Sequence, residues 1–222
     1  MNFSPGWDQT YRESRQLSTW PWSDLVSFTL RHARPDGGFR RVLELGCGAG
    51  ANIPFFRKLG VDYWAIEGST FVVAKLHEAF PDLGERIVAG DFTREIPFDG
   101  PFDLVIDRSS LTHNETVAVR RTLRMVCDLM RPGAKFIGIN WFSMKHSAAA
   151  AGDPVDSHTR TNIPAGQFAG VGAVHFSDQE HIVELIGTAG FQLERLEHHA
   201  IDAVLPASGD TLSWWNFVAV KP

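Results

Sequence analysis

The chain has 222 residues, 44% hydrophobic and 21% charged, with 20 Gly and 12 Pro, so it can bury one sizeable core and is neither disordered nor fibrous. A formal net charge of −5 argues against a general polyanion binder, and so against nucleic acid as the default partner. Two cysteines, Cys47 and Cys127, are too few for a disulfide framework or a Cys-rich zinc site, and neither a leader-like block nor an apolar run of membrane length is present, so a soluble protein of the reducing cytoplasm is expected.

Residues 1–40 crowd Trp7, Tyr11, Trp20 and Trp22 ahead of an amphipathic helix at 23–34. This segment is a candidate cap or lid, with Arg12 or Arg15 available to an anionic group. From Arg41 short aliphatic runs alternate with helical patterns, which is how a parallel sheet with crossover helices reads. Strands are predicted at 41–45, 61–66, 86–89, 102–106 and 135–140, with helices beginning near Ala51, Ser69 and Glu115. Residues 143–176, rich in Gly, Ala and Pro, run longer than an idle loop and form a second candidate cover. Ser177-Asp178-Gln179-Glu180 reads as a capping box opening a helix that ends at Gly190, and a sixth strand follows at 192–197. The next connection, with Pro206, Gly209 and Asp210, is too short for a helix, so the last strand at 213–220 should run antiparallel to its neighbour. The expected fold is α/β: one domain over 1–222 with a seven-stranded, mostly parallel, doubly wound sheet. It divides into a cap (1–40), a ligand-binding core (41–142), an insertion over the site (143–176) and a sheet edge (177–222).

The first strand runs into Gly46-Cys47-Gly48-Ala49-Gly50, where a tight turn and close backbone approach to a ligand call for glycine. Glu67, followed by Gly68, ends the second strand, where one carboxylate can accept both hydroxyls of a ribose. A nucleoside-type ligand is implied. With Glu44 the first motif becomes acidic-x-Gly-x-Gly-x-Gly, and in this it resembles class I S-adenosylmethionine-dependent methyltransferases. Gly90-Asp91-Phe92, Phe102-Asp103-Leu104-Val105-Ile106-Asp107 and the turn Arg131-Pro132-Gly133-Ala134 extend the resemblance over residues 41–141.

The resemblance implies S-adenosylmethionine as cofactor and S-adenosylhomocysteine as product. It implies that Glu44 organises the methionyl amino end and that Gly46, Gly48 and Gly50 let the cofactor lie on the backbone, with Cys47 between them as a small packing residue. Glu67 takes the ribose, Asp91 the adenine amino group, and Phe92 packs on the ring. Asp107 and Arg108 lie near the methionyl group and the reactive centre. Asp107 and His113 are the candidate bases for a hydroxyl or amine acceptor, and a helix-start histidine remains an equal reading for His113. Tyr11, Arg12 and Trp20 are candidate lid and substrate residues. The nine histidines show no metal-ligand spacing, so no metal is expected.

Gly46-Cys47-Gly48-Ala49-Gly50-Ala51 also fits a loose dinucleotide fingerprint, which leaves an NAD(P)-dependent oxidoreductase as an alternative; Glu44 within the strand and the later Gly90-Asp91-Phe92 count against it. A domain that binds the cofactor without transferring methyl is a further alternative. The net charge and the cover-like segments favour a small-molecule acceptor, and no Asn-Pro-Pro-Tyr-type motif follows the fourth strand to suggest a nucleobase amino group.

Overall fold

The computed structural model describes Trp7 and residues 11–13, 17–33, 41–207 and 209–222; Arg15 and positions 34–40 of the sequence reading lie outside the described residues. In chain order the elements are α1 (Ser23–His32), β1 (Arg41–Leu45), α2 (Ile53–Leu59), β2 (Asp62–Glu67), α3 (Thr70–Ala79), β3 (Ile87–Ala89), β4 (Phe102–Arg108), α4 (Thr116–Asp128) and β5 (Met130–Phe142). Three short strands follow, β6 (Asp153–Pro154), β7 (Thr159–Thr161) and β8 (Val174–His175), then α5 (Gln179–Thr188), β9 (Gln192–Asp202) and β10 (Thr211–Val220).

The main sheet has seven strands in the order β3-β2-β1-β4-β5-β10-β9. β1 pairs parallel with β2 and β4, while β10 runs antiparallel to both β5 and β9. β1 and β4 are almost wholly buried, so their sequences carry continuous apolar runs rather than an alternation. Successive residues still face opposite layers: Leu43, Leu45 and Val105 pack with α4 and α5, whereas Val42, Leu104 and Ile106 pack with α1, α2 and α3. The edge strand β9 is mostly exposed and carries Glu194, Arg195, Glu197, His198 and His199, charge and polarity that discourage pairing with another chain. Strand order reverses between β1 and β4, and the connections leaving their carboxyl ends diverge there, which opens a crevice.

Two local readings of the sequence are corrected. The cap of α5 is Asp178, whose carboxylate accepts from His181 N–H, and not Ser177. Ser177 is held one step earlier: its N–H donates to the Phe142 carbonyl and its carbonyl accepts from Met144 N–H, so its backbone is committed to bridging the sheet. Arg131-Pro132-Gly133-Ala134 is not a turn ahead of the fifth strand but an excursion inside β5. Met130 pairs with Phe102, the register shifts, and Lys135 resumes pairing opposite Leu104. Gly133, at φ +79°, lets the chain leave the ladder and return.

Residues 143–176 build a small structure of their own. β6, β7 and β8 form an antiparallel sheet, and Ala149, Ile163, Phe168, Val171, Val174 and Phe176 bury a separate apolar cluster against which Trp7 and Phe142 pack. Asp156 of this segment accepts from the N–H of Thr116 at the start of α4. Among the described residues no helix is long and apolar enough to cross a membrane.

Candidate active site

The segments leaving the carboxyl ends of β1 through β5 converge on one cavity of about 430 Å³, with further walls from Trp7, Tyr11, Trp22, the 143–176 segment and the start of β10. Its floor is the bend after β1. Gly46 and Gly48 take φ +63° and +52°, and a methyl group on Gly46 would lie 2.3 Å from Ser110 Cβ. A side chain there collides with the loop after β4 and strains the backbone as well. Gly50 is off the cavity wall: a Cβ on it would meet Leu76 and Ile53. Its lack of a side chain serves packing of the bend onto α2 and α3, contrary to the expected role in carrying a ligand.

Three carboxylates face this bend from successive strands. Glu67 at the end of β2 is buried; its Oε2 accepts from Gly48 N–H at 2.9 Å and its Oε1 from Ser69 N–H at 2.9 Å. Glu44 accepts from Asn52 Nδ2 at 2.7 Å and from the Tyr63 hydroxyl at 2.5 Å. Burial lifts its carboxyl to about 7, with the hydrogen bonds from Tyr63 and Asn52 pulling the other way. Asp91 accepts at Oδ1 from the N–H and hydroxyl of Thr93, at 3.0 and 2.6 Å, while its Oδ2 is buried with no partner. A buried orphan carboxylate oxygen in a cavity wall is a vacancy for a ligand donor. Phe92 and Gly68 line the wall nearby.

The loop after β4 supplies Arg108, Ser109, Ser110 and His113. Arg108 lies 3.9 Å over the Trp22 ring and donates from Nε and Nη2 to the two oxygens of Asp24 on α1, at 3.1 and 2.8 Å. Asn140, at φ +55° near the end of β5, donates from Nδ2 to the same Asp24 at 3.0 Å. Asp24 therefore fastens α1 to the carboxyl ends of β4 and β5. Among the sequence candidates, Tyr11 is brought to the site: it is buried on the cavity wall, and burial pushes its phenol well above the usual range.

Three other candidates fall off the wall. Asp107 is 0% exposed, and its Oδ1 accepts from Ser110 N–H, the Ser110 hydroxyl and Leu111 N–H, so it shapes the turn after β4 without facing the cavity. Burial raises it to about 6. Arg12 places its guanidinium 4.8 Å over the Phe71 ring, outside the cavity, where a cation–π contact satisfies it. Trp20 is 82% exposed and does not line the cavity. Cys47 is buried with its thiol pushed well up, which keeps it an unreactive packing group.

His113 does line the cavity, between Trp7 (ring centroids 4.8 Å) and Phe142 (5.6 Å). Its Nδ1 is buried without a hydrogen-bond partner. Burial lowers its pKa to about 4, so the ring is neutral near pH 7. Sequence reasoning missed Asp24, Asn52, Tyr63, Asn140, Phe142, His146, Phe168, Ser213 and Trp214. Only Asn140, a polar residue in the apolar run ending β5, carried a local signal. Among the described residues no group of three or more His, Cys, Asp or Glu side chains is placed to hold a metal.

The doubly wound sheet, with a glycine bend at its switch point and acids on successive strand ends, is an α/β fold of the nucleoside-binding kind. A methyltransferase-domain family profile matches residues 11–196, and the chain belongs to that family. No curated protein sequence matches the chain. Solved structures do. An S-adenosylmethionine-dependent methyltransferase from Mesorhizobium loti is 22% identical, with 86% of this chain and 95% of that one covered at a TM-score of 0.67. The CcbJ methyltransferase from Streptomyces caelestis is 16% identical over 100% and 99% of the two chains, with a TM-score of 0.67. The 1,6-didemethyltoxoflavin-N1-methyltransferase of Burkholderia thailandensis, solved with its substrate and S-adenosylhomocysteine, is 20% identical over 96% and 84%, with a TM-score of 0.64.

Proposed function

We propose that this methyltransferase acts on a small-molecule acceptor, with the cofactor lying across the glycine bend between Glu67 and Asp91. The observation that carries the reading is the pairing of Glu67 with Gly48 N–H across the bend, together with the orphaned Asp91 Oδ2 in the same cavity. Glu67 would take the ribose hydroxyls and Asp91 Oδ2 the adenine amino group, with Phe92 against the ring. Glu44 faces the amino end of the methionyl group, and Arg108 the methionyl carboxylate with the guanidinium edge that Asp24 leaves open.

The electrostatics favour this ligand over a dinucleotide. Glu44, Glu67 and Asp91 suit a sulfonium and an ammonium, whereas a pyrophosphate on the same bend would meet carboxylates at short range. Bound there, the cofactor supplies an electrophilic methyl group on sulfur. The chain's own part is to align the acceptor and exclude water, the two main demands of an in-line displacement. Trp7, Phe142 and Phe168 wall off solvent, and the His113 ring is the group that would take a proton from an N–H or O–H acceptor. Asp107 acts as a positioning residue by holding the Ser110 turn against Gly46.

The cavity falls in the range of roughly 300–1,000 Å³ common for small-ligand sites, which supports a small molecule rather than nucleic acid as acceptor. The two unpaired, buried cysteines suit a reducing compartment and support a cytoplasmic location. The test is turnover: purified protein incubated with S-adenosylmethionine and pools of small molecules should release S-adenosylhomocysteine in an acceptor-dependent way. Tight binding of S-adenosylhomocysteine with no turnover on any pool would favour a non-catalytic binder.

A further inference from the structure

Of the described residues that line the cavity, Arg108 is the one with a full positive charge near pH 7. Glu44, Glu67 and Asp91 are acids, and burial holds His113 and His146 below their ordinary pKa, so both rings stay neutral. An anionic group on a ligand here therefore has one partner of opposite sign. Arg108 stands near enough to Glu44 for its charge to pull that carboxyl down, so the two groups can serve the two ends of one zwitterion. The orientation of the guanidinium decides where the anionic end lies.

That orientation is set by the opening turn of α1 and its cap, Trp22. The Trp22 ring lies 3.9 Å from the guanidinium carbon, and Asp24 accepts from Nε at 3.1 Å and from Nη2 at 2.8 Å. Asp24 Oδ2 is pinned in turn by Asn140 Nδ2 at 3.0 Å. With one face stacked and one edge engaged, Arg108 keeps Nη1 without a partner among the described residues, on a side chain that is 17% exposed. The same turn reaches the acid across the cavity. Trp22 N–H donates to Asn52 Oδ1 at 3.2 Å, and Asn52 Nδ2 donates to Glu44 at 2.7 Å. Trp22, Asn52, Glu44, Arg108 and Asn140 all line the cavity, whereas Asp24 stands behind them.

Building on the reading that sets the amino-acid end of the cofactor between Glu44 and Arg108, we infer that Asp24 is a positioning residue: with Trp22 it aims Arg108 at the carboxylate of that end and ties α1 to its binding. Docking of α1 and uptake of the amino-acid end are then coupled, and each strengthens the other. An asparagine cannot replace Asp24 in this. Its NH₂ group would face either Arg108 Nε or the Arg108 Nη2 and Asn140 Nδ2 pair, so at least one donor loses its acceptor and the guanidinium is freed to swing.

The probes are S-adenosylhomocysteine and 5′-methylthioadenosine, which keeps the adenosyl thioether and lacks the amino-acid end. Both are titrated by calorimetry on the wild-type protein, Asp24→Asn, Arg108→Gln and the double variant. Asp24→Asn is expected to raise the dissociation constant of S-adenosylhomocysteine about tenfold and that of methylthioadenosine less than about twofold. In the Arg108→Gln background the same change should cost S-adenosylhomocysteine almost nothing further, because Asp24 acts through Arg108. Should a variant fail to fold, hydrogen exchange on the wild-type protein decides: at equal saturation S-adenosylhomocysteine should slow the amides of α1 more than methylthioadenosine does. An S-adenosylhomocysteine affinity that Asp24→Asn leaves unchanged or tightens, equal weakening of both ligands, additive losses in the double variant, or α1 amides indifferent to the amino-acid end would overturn the inference and leave the adenosyl reading standing. Uptake of neither ligand by the wild-type protein would overturn both.

Discussion

Asp91→Asn separates ligand recognition from folding. The Thr93 N–H and hydroxyl both bond to Oδ1, and an asparagine carbonyl can keep both. The change then replaces the unpartnered Oδ2 with an NH₂ group, so a donor stands where the cavity offered an acceptor. A hydrogen bond to a charged acceptor contributes about 1.5–3 kcal/mol, so the dissociation constant for S-adenosylhomocysteine should rise about 10- to 150-fold. Stability of the ligand-free protein should change little, because an unpartnered NH₂ group replaces an unpartnered oxygen and both Thr93 bonds are kept. The assay is calorimetric titration of S-adenosylhomocysteine beside thermal unfolding of the ligand-free protein. An unchanged affinity would refute the adenine assignment. A loss of affinity matched by an equal loss of stability would show instead that Asp91 only holds its turn.

Glu67→Gln sets an NH₂ group against either Gly48 N–H or Ser69 N–H, so it should lower stability by about 1–3 kcal/mol and weaken S-adenosylhomocysteine as well, read by chemical denaturation and calorimetry. Glu44 binds its proton more tightly folded, near 7, than at its ordinary 4.5, so its contribution to stability is greatest below about pH 4.5 and declines by about 3 kcal/mol as pH rises to 7. Glu44→Gln should flatten the denaturation midpoint over that window. Uptake of a cationic ligand beside Glu44 should release a proton near pH 7, seen as a dependence of the calorimetric enthalpy on buffer ionisation. Gly46→Ala, at φ +63° with a Cβ on top of Ser110, should destabilise by more than about 1 kcal/mol, whereas Gly48→Ala, whose Cβ would approach only the Tyr11 hydroxyl at 3.3 Å, should cost less; thermal unfolding compares the two.

The chain order alone determined the layered α/β fold and the glycine-bend half of the cavity, because both rest on local patterns. The first strand at 41–45, the glycine bend after it and the acids Glu44, Glu67 and Asp91 at strand ends are local, and the parallel pairing of β1 to β5 carries those ends to one edge of the sheet. Only tertiary structure decided the aromatic half of the cavity. It gathers Trp7, Asp24, His113, Asn140, Phe168 and Trp214 from segments far apart in sequence, and nothing in the neighbourhood of any one of them announces the others. The same reason explains why Asp107, Arg12 and Trp20 read as site residues and are not on the wall. Motif position places a residue at the correct strand end or arm, but which way its side chain turns depends on competing partners: the Ser110 turn for Asp107, the Phe71 ring for Arg12 and open solvent for Trp20.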